Sequence, residues 1–336
     1  MKALFVVNRR SGAKRRDDIE TLIRNACVWE HEFVHCDRDA LDATVARAER
    51  SGVDVIFAVG GDGTVHEVGK RLIGRSLALG IVPTGSGNGL ARHLGLPIHV
   101  ARSLAACSAG RIDTIDTAVV NGKPFIGTMG IGFDAWIAEA FASRAERGLR
   151  TYLRVAFSGF WSYRPQEYEL IVDGERIRRS ALLIAVANAS QYGNNARIAP
   201  VASLQDGVLD VVIVERRSFR AAARLFAGSL DRAPGITMLR GREIQIRRLR
   251  LRLVDVDADL GQRANGIRMD EPRRTRARRH DVDLVAVKRP RQPFRHLAAR
   301  GVAGAEKENA FLVHRLPVAG CQLPEENHRK PETGNW

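Results

Sequence analysis

The sequence predicts a doubly wound, parallel-sheet α/β domain followed by a larger antiparallel β-sandwich domain. Up to about residue 130, short apolar runs alternate with segments of helical spacing, the pattern of parallel strands joined by helices. After about Asp113, β-branched runs flank Asn-Gly and Asp-Gly pairs, which are typical of two-residue hairpin turns. The length of 336 residues agrees with two domains.

Four runs of the first domain are expected to be parallel strands, because segments with helical spacing separate them. These runs are Ala3–Val7, Glu32–His35, Val53–Val59 and Leu77–Val82. The intervening helices are expected at Asp17–Cys27, Ala40–Arg50 and Thr64–Ile73.

Antiparallel pairing is expected around Asn121-Gly122 and Asp173-Gly174, each of which lies between two strand-like runs. Further strands are expected at Leu182–Ala187, Val208–Val214 and Ile244–Val256, and helices near Ala135–Ala145, Leu149–Phe160 and Arg220–Leu230. The predicted division is residues 1–130, 131–290 and a loosely ordered tail at 291–336.

The charge balance indicates anionic partners, since the net charge is +15. Few aromatic residues interleave with the late arginine clusters, which disfavours a dedicated nucleic-acid partner. No apolar run is long enough to span a bilayer, the N-terminus lacks the pattern of a signal peptide, and the four cysteines show no metal-binding spacing. These features predict a cytoplasmic protein.

Two glycine-rich loops follow strands of the first domain. Gly60-Gly61-Asp62-Gly63-Thr64 lies between a strand and a helix, where flexible backbone and a helix N-terminus can hold a phosphate. Asp62 would repel a phosphate in direct contact, so it is expected to bind Mg²⁺ or its water, or to accept a proton.

The second loop, Thr84-Gly85-Ser86-Gly87-Asn88-Gly89, follows the next strand. Both loops lie at the carboxyl ends of parallel strands, where open α/β sheets bind ligands. Neither loop has the P-loop lysine, and Asp62 breaks the dinucleotide-binding spacing. The pair predicts a nucleotide phosphate site.

These loops, extended by Val65-His66-Glu67 and Ala91-Arg92, resemble the catalytic domain of the diacylglycerol kinase and sphingosine kinase superfamily, including the bacterial YegS-type lipid kinases. Similar matches are Asn8–Gly12, Gly130–Asp134, Asn188–Gly193, Ala199-Pro200 and Asp206–Asp210, in the family's order over about residues 1–290.

The resemblance implies an ATP site and assigns residues to it. The predicted nucleotide-binding residues combine those that the resemblance implies with those of the second loop. They are His35, Gly61, Asp62, Gly63, Thr64, Val65, His66, Glu67, Thr84, Gly85, Ser86, Gly87 and Asn88. It also implies a Mg²⁺ site formed by Ser203, Asp206 and Val208, although Asp206 beside Gly207 is equally typical of a turn.

The resemblance further implies that a late Asp-Gly-Glu motif supplies the catalytic base, with Asp62 as the other catalytic residue. The best match is Met269-Asp270-Glu271-Pro272, which lacks the glycine and makes Glu271 the base. An intact Asp173-Gly174-Glu175 lies between strand-like runs and is interpreted as a hairpin turn.

The implied activity is ATP- and Mg²⁺-dependent phosphorylation of a lipid hydroxyl, as in diacylglycerol. A peripheral contact with an anionic membrane is expected through the basic surface and the aromatic stretch Leu149–Tyr163, for which a core helix is the alternative. An NAD kinase-like enzyme and a catalytically degenerate nucleotide-binding protein are the alternative functions. A homodimer is left open.

Overall fold

The computed structural model describes residues 1–8, 16–35, 38–142, 149–249, 284–287 and 315–319. No helix among these residues has the length and apolar character needed to cross a membrane.

The first domain is a mostly parallel sheet with helices between its strands and β5 as an antiparallel edge strand. Its elements are β1 (Lys2–Val7), α1 (Arg16–Ala26), β2 (Glu30–Val34), α2 (Leu41–Arg50), β3 (Val55–Gly60), α3 (Asp62–Leu72), β4 (Ala78–Pro83), α4 (Gly89–His93), α5 (Val100–Ala109) and β5 (Ile112–Asp116). β1, β3 and β4 are almost fully buried, which explains their continuous apolar runs. The four predicted strands and three predicted helices are all present, with ends shifted by at most two residues.

The second domain consists of two antiparallel sheets. Its elements are β6 (Ala118–Val120), β7 (Lys123–Phe125), β8 (Thr128–Gly132), α6 (Phe133–Ala142), α7 (Leu149–Ser162), β9 (Gln166–Val172), β10 (Glu175–Ala181), β11 (Leu183–Ala187), β12 (Leu209–Val214), α8 (Phe219–Ala227), β13 (Ile236–Gly241), β14 (Glu243–Arg248) and β15 (Leu284–Val287). The sheet orders are β10-β9-β14-β15-β6-β7 and β13-β12-β11-β8. Leu170 and Ile246 of the first sheet share one buried cluster with Ile184 and Val211 of the second. The predicted sandwich is confirmed.

Both predicted hairpin turns have left-handed backbone at their central residues. The φ angles are 48° and 75° at Asn121 and Gly122, and 49° and 90° at Asp173 and Gly174. Asp173 also accepts the backbone N–H groups of Arg242 and Glu243, at 2.9 and 2.8 Å. The intact Asp-Gly-Glu sequence is therefore a structural turn between β9 and β10.

Two segments belong to a different domain from the one that the predicted boundaries give them. Residues 118–125, predicted within the first domain, form β6 and β7 of the second, because Ala118 and Phe125 are buried in the core of the sandwich. Arg315–Ala319, within the expected loose tail, forms β16. This strand lies between β4 and β5 of the first sheet, giving the order β2-β1-β3-β4-β16-β5.

Candidate active site

The two glycine-rich loops lie against each other. β3 and β4 are neighbours in the sheet, and the Thr84 N–H donates to the Gly60 carbonyl at 3.0 Å, directly beyond the paired strand ends. A Cβ atom on Gly85 would collide with the Cα of Gly61. The close approach of the two backbones creates one concave site from two loops.

α3 begins inside the first loop. The N–H groups of Thr64 and Val65 donate to the Gly61 carbonyl, at 2.9 and 3.1 Å, which closes the first helical turn. A Cβ at Gly63 would have no heavy atom within 4 Å, so this side of the helix start is open. The amino end of α3 therefore presents its partial positive charge at the place where the loops meet.

Asn88 shapes the second loop from within. Its backbone is left-handed, with φ 54° and ψ 46°, immediately before α4. The side chain is buried, donates to the Gly85 carbonyl at 2.8 Å and accepts the Gly85 N–H at 3.2 Å. Both ends of the amide are thus used to hold Gly85 against the first loop, which is a structural role rather than a nucleotide contact.

The carboxylate of Asp62 connects the two loops. Its Oδ1 accepts the N–H of Gly89 at 2.6 Å, where α4 begins. Although the residue is open to solvent on one side, desolvation in the cleft raises the pKa of its carboxyl. The N–H groups of Gly89, Asn88 and Leu90 oppose this rise, because they stabilise the ionised form.

Four predicted nucleotide-binding residues of α3 have other surroundings. Thr64 Oγ1 accepts the side-chain N–H of Asn8 at 2.9 Å, and Val65 is buried in the core. The Glu67 carboxylate pairs with Arg71 at 2.8 Å and with Lys70 at 2.9 Å. His66, next to Val65 in the helix, is half-buried. Of this motif, Asp62 is the residue that lines the cavity described below.

His35 lies at the carboxyl end of β2, at the edge strand of the sheet. Its Nε2 is 2.6 Å from Glu20 Oε1 on α1. The residue is absent from the cavity wall described below. The structure does not bring it together with the glycine-rich loops.

A cavity of about 700 Å³ extends from the glycine-rich loops into the second domain. One end is lined by Asp62, Ser86 and Gly87. Apolar side chains form most of the remaining wall, among them Phe133, Ile137, Phe160, Leu182, Leu225 and Leu230. A cavity of this size and character fits an apolar ligand with one polar end.

Gly193 joins the domains at the polar end of the cavity. It forms an isolated β-bridge with Asn88, and the N–H of Asn194 donates to the Gly87 carbonyl at 3.0 Å. The φ of Gly193 is 124°, and a Cβ there would lie 2.7 Å from the Gly87 Cα. Only glycine permits this contact, which holds the second loop against the sandwich.

Asp134 and Tyr192 are candidate site residues that the sequence analysis did not select. Asp134 lines the cavity, and desolvation raises the pKa of its carboxyl, while the nearby Tyr192 hydroxyl opposes the rise. A Cβ at Gly130 would collide with Asp134, and Gly132 bends the chain with φ 79°. The signal was available in Gly130–Asp134, where an acid follows two glycines between a strand and a helix.

In the loop predicted to bind Mg²⁺, an arginine side chain already pairs with the aspartate. Asp206 Oδ1 accepts the N–H of Val208 at 3.1 Å, and its Oδ2 pairs with the Arg240 guanidinium. Arg240 Nε lies 3.2 Å from Asp210, a buried carboxylate. The Ser203 hydroxyl accepts the N–H of Gln205 at 3.2 Å.

This donor set does not fit a resident Mg²⁺, because the guanidinium occupies the carboxylate that the ion would need. Within the described ranges, no three His, Cys, Asp or Glu side chains are grouped so as to hold a metal. The Ser203–Val208 loop is a turn braced by Arg240.

We expect Arg240→Gln to lower the free energy of unfolding by roughly 1–3 kcal/mol, because a charged hydrogen-bond partner of Asp206 and Asp210 is lost. Mg²⁺ without nucleotide should raise the melting temperature of the variant and leave the wild type unchanged. Arg179→Gln, which removes an exposed arginine 3.9 Å from Glu215, is the matched control. Stabilisation of the wild type by Mg²⁺ alone would contradict this assignment.

We expect Gly85→Ala to weaken ATP binding by about 10–100-fold, because its Cβ forces Gly61 out of place and a small displacement in a site has a large effect. Gly127→Ala is the matched control, since its Cβ would meet no atom within 4 Å. Titration calorimetry with ATP measures both. Equal dissociation constants for Gly85→Ala and the wild type would show that the contact of the loops is not needed.

Glu271, the implied base, lies outside the described residues.

Two family models match the chain. The diacylglycerol kinase catalytic domain matches residues 2–120, and the YegS C-terminal NAD kinase beta sandwich-like domain matches residues 127–267. The first match ends with β6 and the second begins just before β8, close to the place where the structure changes from the parallel to the antiparallel sheets.

Among curated proteins, the Salmonella typhimurium protein named "Probable lipid kinase YegS" is 30% identical over 220 residues, which are 63% of this chain and 73% of that protein. The Synechocystis protein sll0036 is also 30% identical, over 56% of this chain but only 45% of its own length. A crystal structure described as a diacylglycerol kinase of Bacillus anthracis has a TM-score of 0.61 at 21% identity, over 86% of this chain and 94% of that chain. The last likeness shows the shared fold.

Proposed function

Since the chain belongs to the diacylglycerol kinase and YegS-type lipid kinase superfamily, we propose that it transfers the γ-phosphoryl group of ATP to a lipid hydroxyl, as in diacylglycerol. The observation that carries this proposal is the continuity of one cavity. Its polar end contains Asp62 and Ser86 from the glycine-rich loops, and its body is apolar. A lipid whose chains fill the body would hold its hydroxyl at the phosphate site.

The proposed nucleotide site uses backbone rather than side chains. The N–H groups at the start of α3 and the glycines of both loops surround the phosphates of ATP. Asp62 would meet the metal ion of the MgATP substrate, because a carboxylate repels the phosphates themselves. Its connection to Gly89 fixes the position of the carboxylate relative to both loops.

The proposed reaction is an in-line displacement at the γ-phosphorus. A base takes the proton of the lipid hydroxyl, the hydroxyl oxygen forms a bond to phosphorus, and the bond to the bridging oxygen of ADP breaks. Family resemblance assigns the base to Glu271. Asp134, at the polar end of the cavity with Tyr192, is placed to orient the hydroxyl.

The identity of the molecule that accepts the phosphoryl group distinguishes this proposal from its alternatives. The enzyme is incubated with γ-labelled ATP and separate acceptors: diacylglycerol, a sphingoid base, a phospholipid and NAD. We expect label in the organic phase with at least one lipid, because the apolar cavity favours acyl chains over a dinucleotide. Label on NAD alone would support an NAD kinase-like enzyme, and ATP binding with no transfer would support a degenerate one.

A further inference from the structure

Four exposed aromatic side chains form what we call the aromatic rim: Phe157 and Trp161 of α7, and Phe219 and Phe226 of α8. Their exposed fractions are 64%, 57%, 62% and 48%. Among the phenylalanines and tryptophans whose side chains the structure describes, these are the exposed ones. Such a concentration of apolar surface marks a binding surface rather than scattered exposure.

Ring contacts hold the rim together across the two helices. The Phe219 ring lies 5.3 Å from that of Phe160 and 5.8 Å from that of Trp161. The side chain of Arg217, which precedes α8, donates to the Trp161 carbonyl near the end of α7 at 2.9 Å. At the centre of the rim, Trp161 of α7 and Phe219 of α8 are therefore already in contact.

The rim is continuous with the cavity. Phe157, Phe219 and Phe226 are both exposed at the surface and part of the cavity wall. A molecule that leaves an apolar phase at the rim would enter the cavity without crossing a polar surface. This placement favours a membrane as the partner of the rim, because a membrane contains the lipid that would enter the cavity.

Positive charge accompanies the aromatic residues. α7 and α8 contain four arginines and no carboxylate. Arg154 and Arg220 are exposed on these helices, and exposed Arg216 is on the cavity wall. Aromatic residues with arginines suit the headgroup region of an anionic bilayer, where the rings enter the interface and the cations meet phosphates.

We infer that α7 and α8 form a membrane-binding surface through which the cavity is filled directly from an anionic bilayer. This inference rests on the proposed lipid kinase function and specifies where the acceptor enters. It also places α8, the helix predicted near Arg220–Leu230, beside the aromatic stretch Leu149–Tyr163, a proximity that the sequence did not indicate.

The test is cosedimentation of the full chain with vesicles that contain about 30% phosphatidylglycerol, against pure phosphatidylcholine vesicles, at low salt. We expect Trp161→Ala to weaken binding to anionic vesicles by about tenfold, and Arg154→Gln/Arg220→Gln to weaken it by about tenfold or more. The matched controls are Val28→Ala, an exposed apolar residue, and Arg47→Gln/Arg50→Gln on α2, which should bind as the wild type does.

A soluble short-chain acceptor separates this inference from the function it rests on. Trp161→Ala and the arginine pair should phosphorylate that acceptor at the wild-type rate, because they do not line the cavity. Wild-type transfer without vesicle binding would overturn the membrane surface and leave the kinase function. Vesicle binding without transfer would overturn the kinase function alone. If Trp161→Ala converts a dimer to a monomer while vesicle binding persists, the rim is a subunit interface and the inference is wrong.

Discussion

Asp62→Asn should lower the rate of lipid phosphorylation by about 10²–10³-fold, the usual cost of removing one preorganised electrostatic group from a phosphoryl or acyl transfer site. The amide can still accept the N–H of Gly89, so the loops should keep their arrangement. What the variant loses is the negative charge that meets the cation of MgATP. We expect the loss mainly in kcat, with ATP binding much less affected.

The same substitution should make the protein more stable at neutral pH. Desolvation raises the pKa of Asp62 above its ordinary value of 3.8, so the folded state binds this proton more tightly than the unfolded state does. Wild-type stability from this group is complete below 3.8 and is lost as the pH rises through the raised pKa. Asparagine has no such loss.

Thermal unfolding between pH 4.5 and 8, as a rough working range, measures this effect. The melting temperature of Asp62→Asn should exceed that of the wild type at neutral pH, and the difference should shrink towards acid. Asp18→Asn, at an exposed carboxylate of α1, is the control. A variant that loses both activity and stability would mean that Asp62 is mainly a structural residue.

Glu271→Gln should lower the rate by about 10²–10⁴-fold, the range for a general base, while ATP binding stays at the wild-type level. The sequence supplies its own control in Glu175→Gln. Glu175 follows the other Asp-Gly pair, which the structure uses as the turn between β9 and β10. We therefore expect Glu175→Gln to retain full activity.

The steady-state rate of lipid phosphorylation measures both glutamate variants. The opposite pattern, with loss in Glu175→Gln alone, would assign the chemistry to the intact motif. Equal, nearly full activity in both would move the role of base to a carboxylate of the cavity wall, where Asp134 is the candidate.

The sequence predicts the buried strands of the first domain and the hairpin turns of the second well because these signals are local. The buried strands β1, β3 and β4 are continuous apolar runs, and the turns at Asn121 and Asp173 need left-handed backbone that Asn-Gly and Asp-Gly provide. The adjacency of the two glycine-rich loops follows from their places at neighbouring parallel strand ends.

Features that depend on distant parts of the chain were not predictable. β16 pairs with β5, about 200 residues earlier, and its five residues carry no signal for that partner. Arg240 lies close to Asp206 because β12 and β13 pair. A match to a sequence motif cannot show that an arginine side chain takes the place of a metal ion. Asp134 is a site residue because the fold brings α6 to the same cavity as Gly193, which contacts the second glycine-rich loop, and the sequence does not show this proximity.

The central claim is that one cavity holds the phosphates of ATP at one end and a lipid hydroxyl beside them. A crystal structure with a non-hydrolysable ATP analogue and a short-chain diacylglycerol tests it most directly, through the distance from the γ-phosphorus to the lipid oxygen. We predict about 3–3.5 Å, with the γ-phosphate against the loops that contain Gly61 and Gly85 and the acyl chains among the side chains of α6, α7 and α8. A triphosphate bound away from these two glycines, or a lipid hydroxyl at the outer end of the cavity, would contradict the claim.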